Sequence, residues 1–450
     1  MDGIRTQADK IKNWGALAYF FWLCWWAISF FSWFWKRYAA HELLFVFDKQ
    51  ENRLLFLDFT NHYMGGKLAV SPLRHSIYDP TVQLNFYRQL LAPQHVDVSQ
   101  YCQVTPWFFL YMVPFGLFPI EISYLIWNVL WCTFGLICLD QLVRYLGMKD
   151  VKERIFLCAW LFGFYPAQDT IIGGQNSWML LGLLALYCRF WFESRDIACG
   201  VSLGLSLIRP QYFLFLLIPA IAQRRWRIVA ASFSTCFILL FMSGLVFGFD
   251  TVINYPKLVA AVDSADWAVI PWRMVSIRGP LTILLEQKLA FQISSAIALL
   301  ALVAFFFMWT KTKTSKAALL PAFAATIVGM LVFSPHTHVH DLILLAIPFV
   351  LIAPTLWNKN ILGSLSRYQR MCIGIFVFLP VLIFLPMMGL ELFAPKDSLE
   401  HGKLYAWSFN AINLLLLFLT LQLWQSAQRE PDRRSPGANE QEENVNPEFH

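Results

Sequence analysis

Asp58 is the first residue of this sequence whose type and setting could do chemistry. It lies in the segment LLFLDFTNHYMGG, between Leu54–Leu57 and Phe59. A carboxylate in such apolar surroundings is partly desolvated, and a partly desolvated carboxylate can act as a general base. Aspartate is also a favoured N-cap residue, so Asp58 could instead only cap a helix that begins at Phe59.

A second polar segment, YPAQDTIIGGQNS, separates two apolar runs and contains Asp169, Gln175 and Asn176. Its two glycines let the backbone approach a ligand closely. The two side-chain amides can hydrogen-bond the hydroxyl groups of a sugar. A tight turn outside the membrane is the simpler interpretation of Asp169.

Arg209 interrupts a third apolar stretch, in the segment SLIRPQYF. A charge inside an apolar run is costly, and such residues usually face an interior cavity or a partner. The planar guanidinium suits a phosphate group. Alternatively, the side chain could extend to the membrane interface.

The fourth segment, SPHTHVHDL, places His336, His338, His340 and Asp341 close together. Imidazoles next to an anionic leaving group are the favoured interpretation, with His336 and His340 as phosphate-binding candidates. A metal site is the alternative. We expect none, because no acidic cluster accompanies the histidines.

The elements that must position these residues are membrane helices. Of the 450 residues, 58% are hydrophobic and 14% are charged, with a mean hydropathy of +0.52. Runs of about 20 apolar residues recur, each long enough to cross a bilayer. This composition excludes a soluble enzyme, a disordered protein and a disulfide scaffold. The net charge of +6 comes from short basic clusters between apolar runs, so it does not indicate nucleic-acid binding. Eight of the nine cysteines lie in apolar runs, as small packing residues do.

The basic clusters also predict an orientation. With a cytoplasmic N-terminus and twelve crossings, most short loops rich in Lys and Arg face the cytoplasm, as the positive-inside rule requires. The run at 105–118 is then a re-entrant or interfacial helix. If 105–118 crossed instead, the cluster at 144–154 would lie outside. In the preferred topology all four polar segments lie on the outer side.

The predicted fold is therefore an all-α polytopic membrane protein with about 12 transmembrane helices. Residues 1–425 form one transmembrane domain, with interfacial or re-entrant helices in a first outer loop at 38–120. A second long outer loop at 250–288 mixes charges with tryptophans, as a carbohydrate or lipid-headgroup surface does. Residues 426–450 are predicted to form a disordered cytoplasmic tail.

The ordered set of short motifs resembles glycosyltransferase family 87. These motifs are Asp58-Phe59, Tyr78-Asp79, Gly174-Gln175-Asn176, Arg209-Pro210 and Ser334-Pro335 followed by histidine. The resemblance implies a GT-C fold, an active site that faces away from the cytoplasm, and a catalytic Asp in the first outer loop, where Asp58 stands. Two positions depart from the family pattern: Arg209-Pro210 replaces a Lys-Pro break, and Val104-Thr105-Pro106 stands where a Tyr-Pro-Pro-like entry is expected.

The resemblance also implies an activity. A sugar, mannose in the relatives, would pass from a polyprenyl-phosphate donor to a lipid or glycan acceptor, with inversion and with Asp58 as the base. Arg209, His336 and His340 would bind the donor phosphate, and Asp169, Gln175 and Asn176 the sugar or acceptor. We expect no cofactor, and we expect a bacterial cytoplasmic membrane as the location. The alternative is a transporter or flippase for lipid-linked sugars, which would also have broken helices.

Overall fold

The computed structural model describes residues 2–39, 45–48, 53–56, 58–91, 102, 104–263, 274–353, 367–393 and 399–429. A short antiparallel hairpin of β1 (Phe45–Asp48) and β2 (Arg53–Phe56) follows the first helix, with Phe45 paired to Phe56. All other regular structure in these ranges is helical. The first half of the chain forms α1 (Asp2–Ala39), α2 (Asp58–Ala69), α3 (Pro80–Leu91), α4 (Pro106–Met112), α5 (Ile120–Tyr145), α6 (Val151–Phe162), α7 (Tyr165–Gly173), α8 (Ser177–Phe192) and α9 (Asp196–Leu205).

From Pro210 onward, the described chain continues with nine further helices. These are α10 (Pro210–Ala222), α11 (Trp226–Phe247), α12 (Phe249–Asp263), α13 (Arg278–Leu284), α14 (Gln287–Thr310), α15 (Lys316–Phe333), α16 (Ala346–Ile352), α17 (Arg367–Phe393) and α18 (Leu399–Arg429). Short 3₁₀ turns lie at Arg74–Ser76, Phe115–Leu117, Ser206–Ile208 and Val339–Leu345. The most extensive helix–helix contacts among the described residues join α5 to α8, α9 to α11, and α15 to α18.

Seven helices of the described chain are long and apolar enough to cross a membrane. They are α1, α5, α11, α14, α15, α17 and α18. The pair α6 and α7, bent by 59°, makes an eighth candidate span, and α8, α9, α10 and the stretch Val339–Ile352 are shorter apolar helices. The predicted all-α polytopic membrane fold is confirmed, while the number of twelve crossings stays a prediction.

Basic side chains gather at one end of the bundle, which we call the basic end. Asp140 pairs with Arg144 and Arg154 there, at 2.7 and 2.6 Å. Three further contacts at this end join neighbouring helices: the hydrogen bond from Arg189 to the Gln141 side chain, the Asp196–Arg225 ion pair and the ammonium of Lys316 over the ring of Tyr145. The N-termini of α5 and α8 and the C-terminus of α11 lie at the opposite end.

Helix α2 is held tightly at that opposite end by α4 and the 3₁₀ turn after it. A Cβ on Gly66 would lie 2.3 Å from the carbonyl oxygen of Met112, and a Cβ on Gly116 would lie 2.3 Å from that of Gly66. Only glycine permits so close a backbone approach. With seven residues, α4 is too short to span a bilayer, in agreement with the re-entrant or interfacial helix expected at 105–118.

The segment YPAQDTIIGGQNS is not the loop that its polar residues suggested. Residues Tyr165–Gly173 form helix α7, because Pro166 suits the first helical turn and Gly174, with a φ of 59°, ends the helix in the left-handed region. Only Gly174, Gln175 and Asn176 connect α7 to α8. Asp169 therefore lies on a helix, and the tight-turn interpretation of it is wrong.

Other expectations meet the structure in part. Asp79 caps α3, as an aspartate directly before Pro80 favours, and accepts hydrogen bonds from the backbone N–H groups of Thr81 and Val82. The hairpin was not predicted. Helix α18 runs through Arg429, so the first residues of the predicted tail are helical. Residues 430–450 and the tryptophan-bearing part of the second outer loop, 264–273, lie outside the described residues.

Candidate active site

The turn between α7 and α8 is the centre of the candidate site. Gly174 packs against Phe59 of α2, since an added Cβ would lie 2.5 Å from the Cβ of Phe59. The backbone of Gly174 also hydrogen-bonds His62 of the same helix. The next three residues reach three other side chains, so this turn joins segments that are far apart in the chain.

Asp58 lies at the start of α2 and faces this turn. The side-chain amide of Gln175 donates a hydrogen bond to its carboxylate, across a separation of 117 residues. The sequence suggested a partly desolvated carboxylate, whereas Asp58 is exposed. The reason is that α2 begins at this residue, so the carboxylate lies at the helix end while Phe59 turns into the core.

Arg209 contacts the same turn. The chain breaks there between the 3₁₀ turn Ser206–Ile208 and α10, whose first residue is Pro210. The Arg209 Nε donates a hydrogen bond of 3.2 Å to the Asn176 side chain, and its Nη2 lies 3.7 Å from the Asp341 carboxylate. The side chain is only 16% exposed. Arg209 is thus paired with side chains inside the protein.

Asp341 is fully buried and anchors this cation. Its carboxylate accepts hydrogen bonds from the Ser177 hydroxyl, at 2.9 Å, and from the backbone N–H of His338, at 3.1 Å. Both contacts orient the carboxylate that pairs with Arg209. A buried charge without such partners would be far more costly, and removal of one partner of a buried pair is strongly destabilising.

The three histidines line the region next to Arg209 without forming one uniform row. The His340 Nε2 lies 3.4 Å from Arg209 Nη2, and the His340 Nδ1 lies 3.8 Å from the Asp169 carboxylate. His336 contacts His338 instead, with 3.1 Å between their Nε2 atoms. Burial, followed by the charge interaction with His338 and that with Arg209, holds the pKa of His336 well below its usual range.

The site residues expected from the sequence therefore form one connected network. Gln175 and Asn176 link Asp58 to Arg209, and Arg209 continues through His340 to Asp169. His336 is joined to this network through its neighbour His338 and through Gln211, whose side chain donates to the His336 carbonyl. Within the described ranges, no group of three or more His, Cys, Asp or Glu residues is arranged to hold a metal ion. The metal-free site stays a prediction.

Three members of the site were given no role by sequence reasoning. Asp341 and Arg209 are the two charges that interrupt apolar segments here, and the rule that such charges need partners could have paired them. Ser177 and His62 carry no comparable signal. His62 is buried against Phe108, and burial, with the charge of Arg209, lowers its pKa to about 3.

The model of glycosyltransferase family 87 matches residues 105–335 of this chain. The matched range contains Asp169, the Gly174–Asn176 turn and Arg209, while Asp58 and the histidines lie outside it. No curated protein and no solved structure matches the chain. Because the family model covers just over half of the 450 residues, the chain belongs to glycosyltransferase family 87, a family of the GT-C type, and is a multi-pass membrane glycosyltransferase.

Proposed function

We propose that this glycosyltransferase moves a sugar, mannose by the family resemblance, from a polyprenyl-phosphate donor to a hydroxyl of a lipid or glycan acceptor, with inversion. One observation carries the proposal. Neighbouring residues of a single turn, Gln175 and Asn176, contact the Asp58 carboxylate and the Arg209 guanidinium, respectively, and the charges of Asp58 and Arg209 interact. A base and a cation on opposite sides of a ligand are what an inverting displacement requires.

Asp58 is the proposed general base. Its carboxylate takes the proton of the acceptor hydroxyl while the acceptor oxygen attacks the anomeric carbon from the face opposite the phosphate. The bond between the anomeric carbon and the phosphate oxygen breaks, and its electron pair leaves with the polyprenyl phosphate. Inverting glycosidases use a carboxylate in the same way to activate a water molecule. The exposure of Asp58 supports this role, because the base must be reached by the acceptor.

Arg209 is the proposed partner of the leaving phosphate. Its Nε and Nη2 are held by Asn176, His340 and Asp341. None of the described residues accepts a hydrogen bond from Nη1, which supports contact of that nitrogen with a phosphate oxygen. His340 and His336 would complete the donor-phosphate contacts, and Asp169 would contact the sugar or acceptor.

The basic end of the bundle supports the proposed orientation in the membrane. Lys and Arg concentrate in the loops of that end, and such loops tend to stay in the cytoplasm. The Asp58–Arg209 region lies at the opposite end, which supports a site that faces away from the cytoplasm, and a bacterial cytoplasmic membrane is the location that we propose. There a polyprenyl tail can remain in the hydrocarbon while its sugar meets water.

Replacing Asp58 by Asn tests the reaction. The purified protein in nanodiscs would be incubated with polyprenyl-phosphate sugars, mannose first, and with alkyl-glycoside acceptors, and the glycosylated product measured. General-base catalysis contributes about 10²–10⁴-fold, so we expect Asp58→Asn to lose at least about 100-fold in kcat. Asp150→Asn is the matched control, because Asp150 caps α6 at the basic end and Asn also caps helices.

The result also separates the transferase from the transporter alternative. A flippase would move the intact lipid-linked sugar between the leaflets and release no free polyprenyl phosphate. Transfer by wild-type protein that is unchanged in Asp58→Asn would remove the proposed base. Transbilayer movement without cleavage of the donor would instead favour the transporter.

A further inference from the structure

A groove of about 570 Å³ opens beside the candidate site, between the start of α3 and helix α12. It is distinct from the Asp58–Arg209 network, and none of its residues was assigned a part in the reaction above. We call it the α12 groove and define it by its lining residues, His75, Ser76, Tyr78, Asp79, Asp250, Thr251, Asn254, Tyr255, Lys257 and Leu258.

An aromatic layer joins the α12 groove to the active site. The rings of Tyr78 and Tyr255 lie 5.8 Å apart, and Tyr255 packs 5.5 Å from Trp107. The indole of Trp107 in turn donates a hydrogen bond of 2.9 Å to the carbonyl of Leu207, two residues before Arg209. Tyr255 is close enough to Arg209 for their charges to interact. The groove is therefore next to the reaction centre, at the same end of the bundle.

The charge of the groove differs from that of the Arg209 region. Its lining carries two carboxylates, Asp79 and Asp250, and one ammonium, Lys257, while Arg74 stands at its edge. No excess of positive charge is available to hold a phosphate. Carboxylates, an amide and tyrosine rings are instead suited to a neutral sugar, whose hydroxyl groups donate to carboxylates and whose apolar C–H face packs on aromatic rings.

Apolar side chains border the groove and are exposed. Val70 and Leu73 precede its 3₁₀ wall, and Phe249 and Ile253 lie on α12 beside its polar residues, with exposed fractions of 47%, 49%, 47% and 67%. In a membrane protein such a border lies in the lipid, and a polar groove beside it lies at the interface. An occupant would thus have a polar head in the groove and an apolar tail in the membrane.

We infer that the α12 groove binds the neutral sugar headgroup of a lipid-anchored acceptor. This inference rests on the proposed function and assigns its two substrates to separate surfaces, with the anionic donor at Arg209 and the neutral acceptor at Asp79 and Asp250. The Gly248 backbone, with a φ of 90°, turns the chain from α11 into α12 and brings Thr251, next to Asp250, to the His75 segment, where its hydroxyl donates to the His75 carbonyl at 3.5 Å.

Photolabelling tests the inference without requiring turnover. Full-length Asp58→Asn protein in nanodiscs is labelled with an octyl glucoside that carries a diazirine on its sugar, and the labelled peptides are mapped. We expect labelling of residues 74–80 and 249–258, reduced by free octyl glucoside and not by octyl phosphate. Labelling elsewhere, or equal competition by octyl phosphate, would overturn the inference.

Variants of the two carboxylates provide a second measurement. Asp79→Asn keeps the cap of α3, and combined with Asp250→Asn it removes both charges from the groove. Since hydrogen bonds to a charged group are about twice as strong as those between neutral groups, we expect labelling at a fixed probe concentration to fall at least about fivefold. Glu286→Gln, an exposed carboxylate at the start of α14 outside the groove, is the control and should label as the unmodified background does.

The two proposals fail differently. If Asp58→Asn retains full transfer activity while groove labelling follows the expected pattern, the assigned base is wrong and the acceptor site stands. If Asp58→Asn is inactive and the double variant labels normally, the reaction stands and the groove is not the acceptor site.

Discussion

Replacing Gly174 by Ala tests whether the turn between α7 and α8 sets the geometry of the site. Alanine at a φ of 59° costs about 1–2 kcal/mol. The new Cβ would lie 2.5 Å from the Cβ of Phe59, whereas carbon atoms in contact are about 3.5–4.0 Å apart. Helix α2 must therefore move by about 1 Å, and overpacking of this kind adds about 1–3 kcal/mol. The sum, about 2–5 kcal/mol, lowers the stability of a typical protein without abolishing its fold.

The folded fraction of Gly174→Ala should also lose activity. Asp58 precedes Phe59, so moving α2 shifts the carboxylate relative to Gln175 and to the substrate. A misplacement of about 1 Å can cost about 100-fold in rate. We expect Gly174→Ala to lose about 10- to 100-fold in kcat, with the 100-fold cost of a full 1 Å shift as the upper limit. The amount of folded protein should stay about the same.

Gly147 provides a matched control for this experiment. It also has a positive φ, of 96°, but no atom lies within 4 Å of an added Cβ. Gly147→Ala should therefore show backbone strain alone, with a lower Tm and normal transfer. Sugar transfer and thermal unfolding would be measured for both variants. Equal activity of Gly174→Ala and Gly147→Ala would refute the view that this turn positions α2.

Three further predictions concern charges around the site. Arg209→Lys keeps the charge but loses the planar fork, so donor KM should rise about 10-fold in steady-state assays; an unchanged KM would argue against phosphate contact. Ser177→Ala removes the 2.9 Å hydrogen bond to buried Asp341, and should lower the free energy of unfolding by about 1.5–3 kcal/mol in denaturant titrations. His62 has a pKa of about 3 in the folded protein, below its unfolded value of about 6.5. The unfolded state therefore binds a proton that the folded state does not, and the free energy of unfolding decreases as the pH falls below about 6.5. Between pH 7 and pH 5 we expect the wild type to lose about 2 kcal/mol more than His62→Phe, measured by unfolding at both pH values.

Much of the architecture could be predicted from the sequence. The apolar runs became helices near their expected positions, and Arg209-Pro210 breaks the chain between two helices as proline requires. Asp79 with Pro80 starts α3. These features are local, because each depends on side chains and backbone within one or two helical turns. The hairpin at residues 45–56 was missed, and α7 was misread as a loop because its polar residues concealed a helix enclosed by Pro166 and Gly174.

The membrane helices and the order of the polar motifs were thus determined by the sequence itself, since the transfer of an apolar run into lipid depends on that run alone. The choice of neighbours was decided only by the tertiary structure. Lipid tails are as apolar as leucine, so hydrophobicity does not select which helix lies beside which, and packing and polar pairing must do so. Gln175 meets Asp58 across 117 residues and Ser177 meets Asp341 across 164. Together with the hydrogen bond from Arg209 to Asn176, these long-range contacts bring a carboxylate and a guanidinium to one three-residue turn.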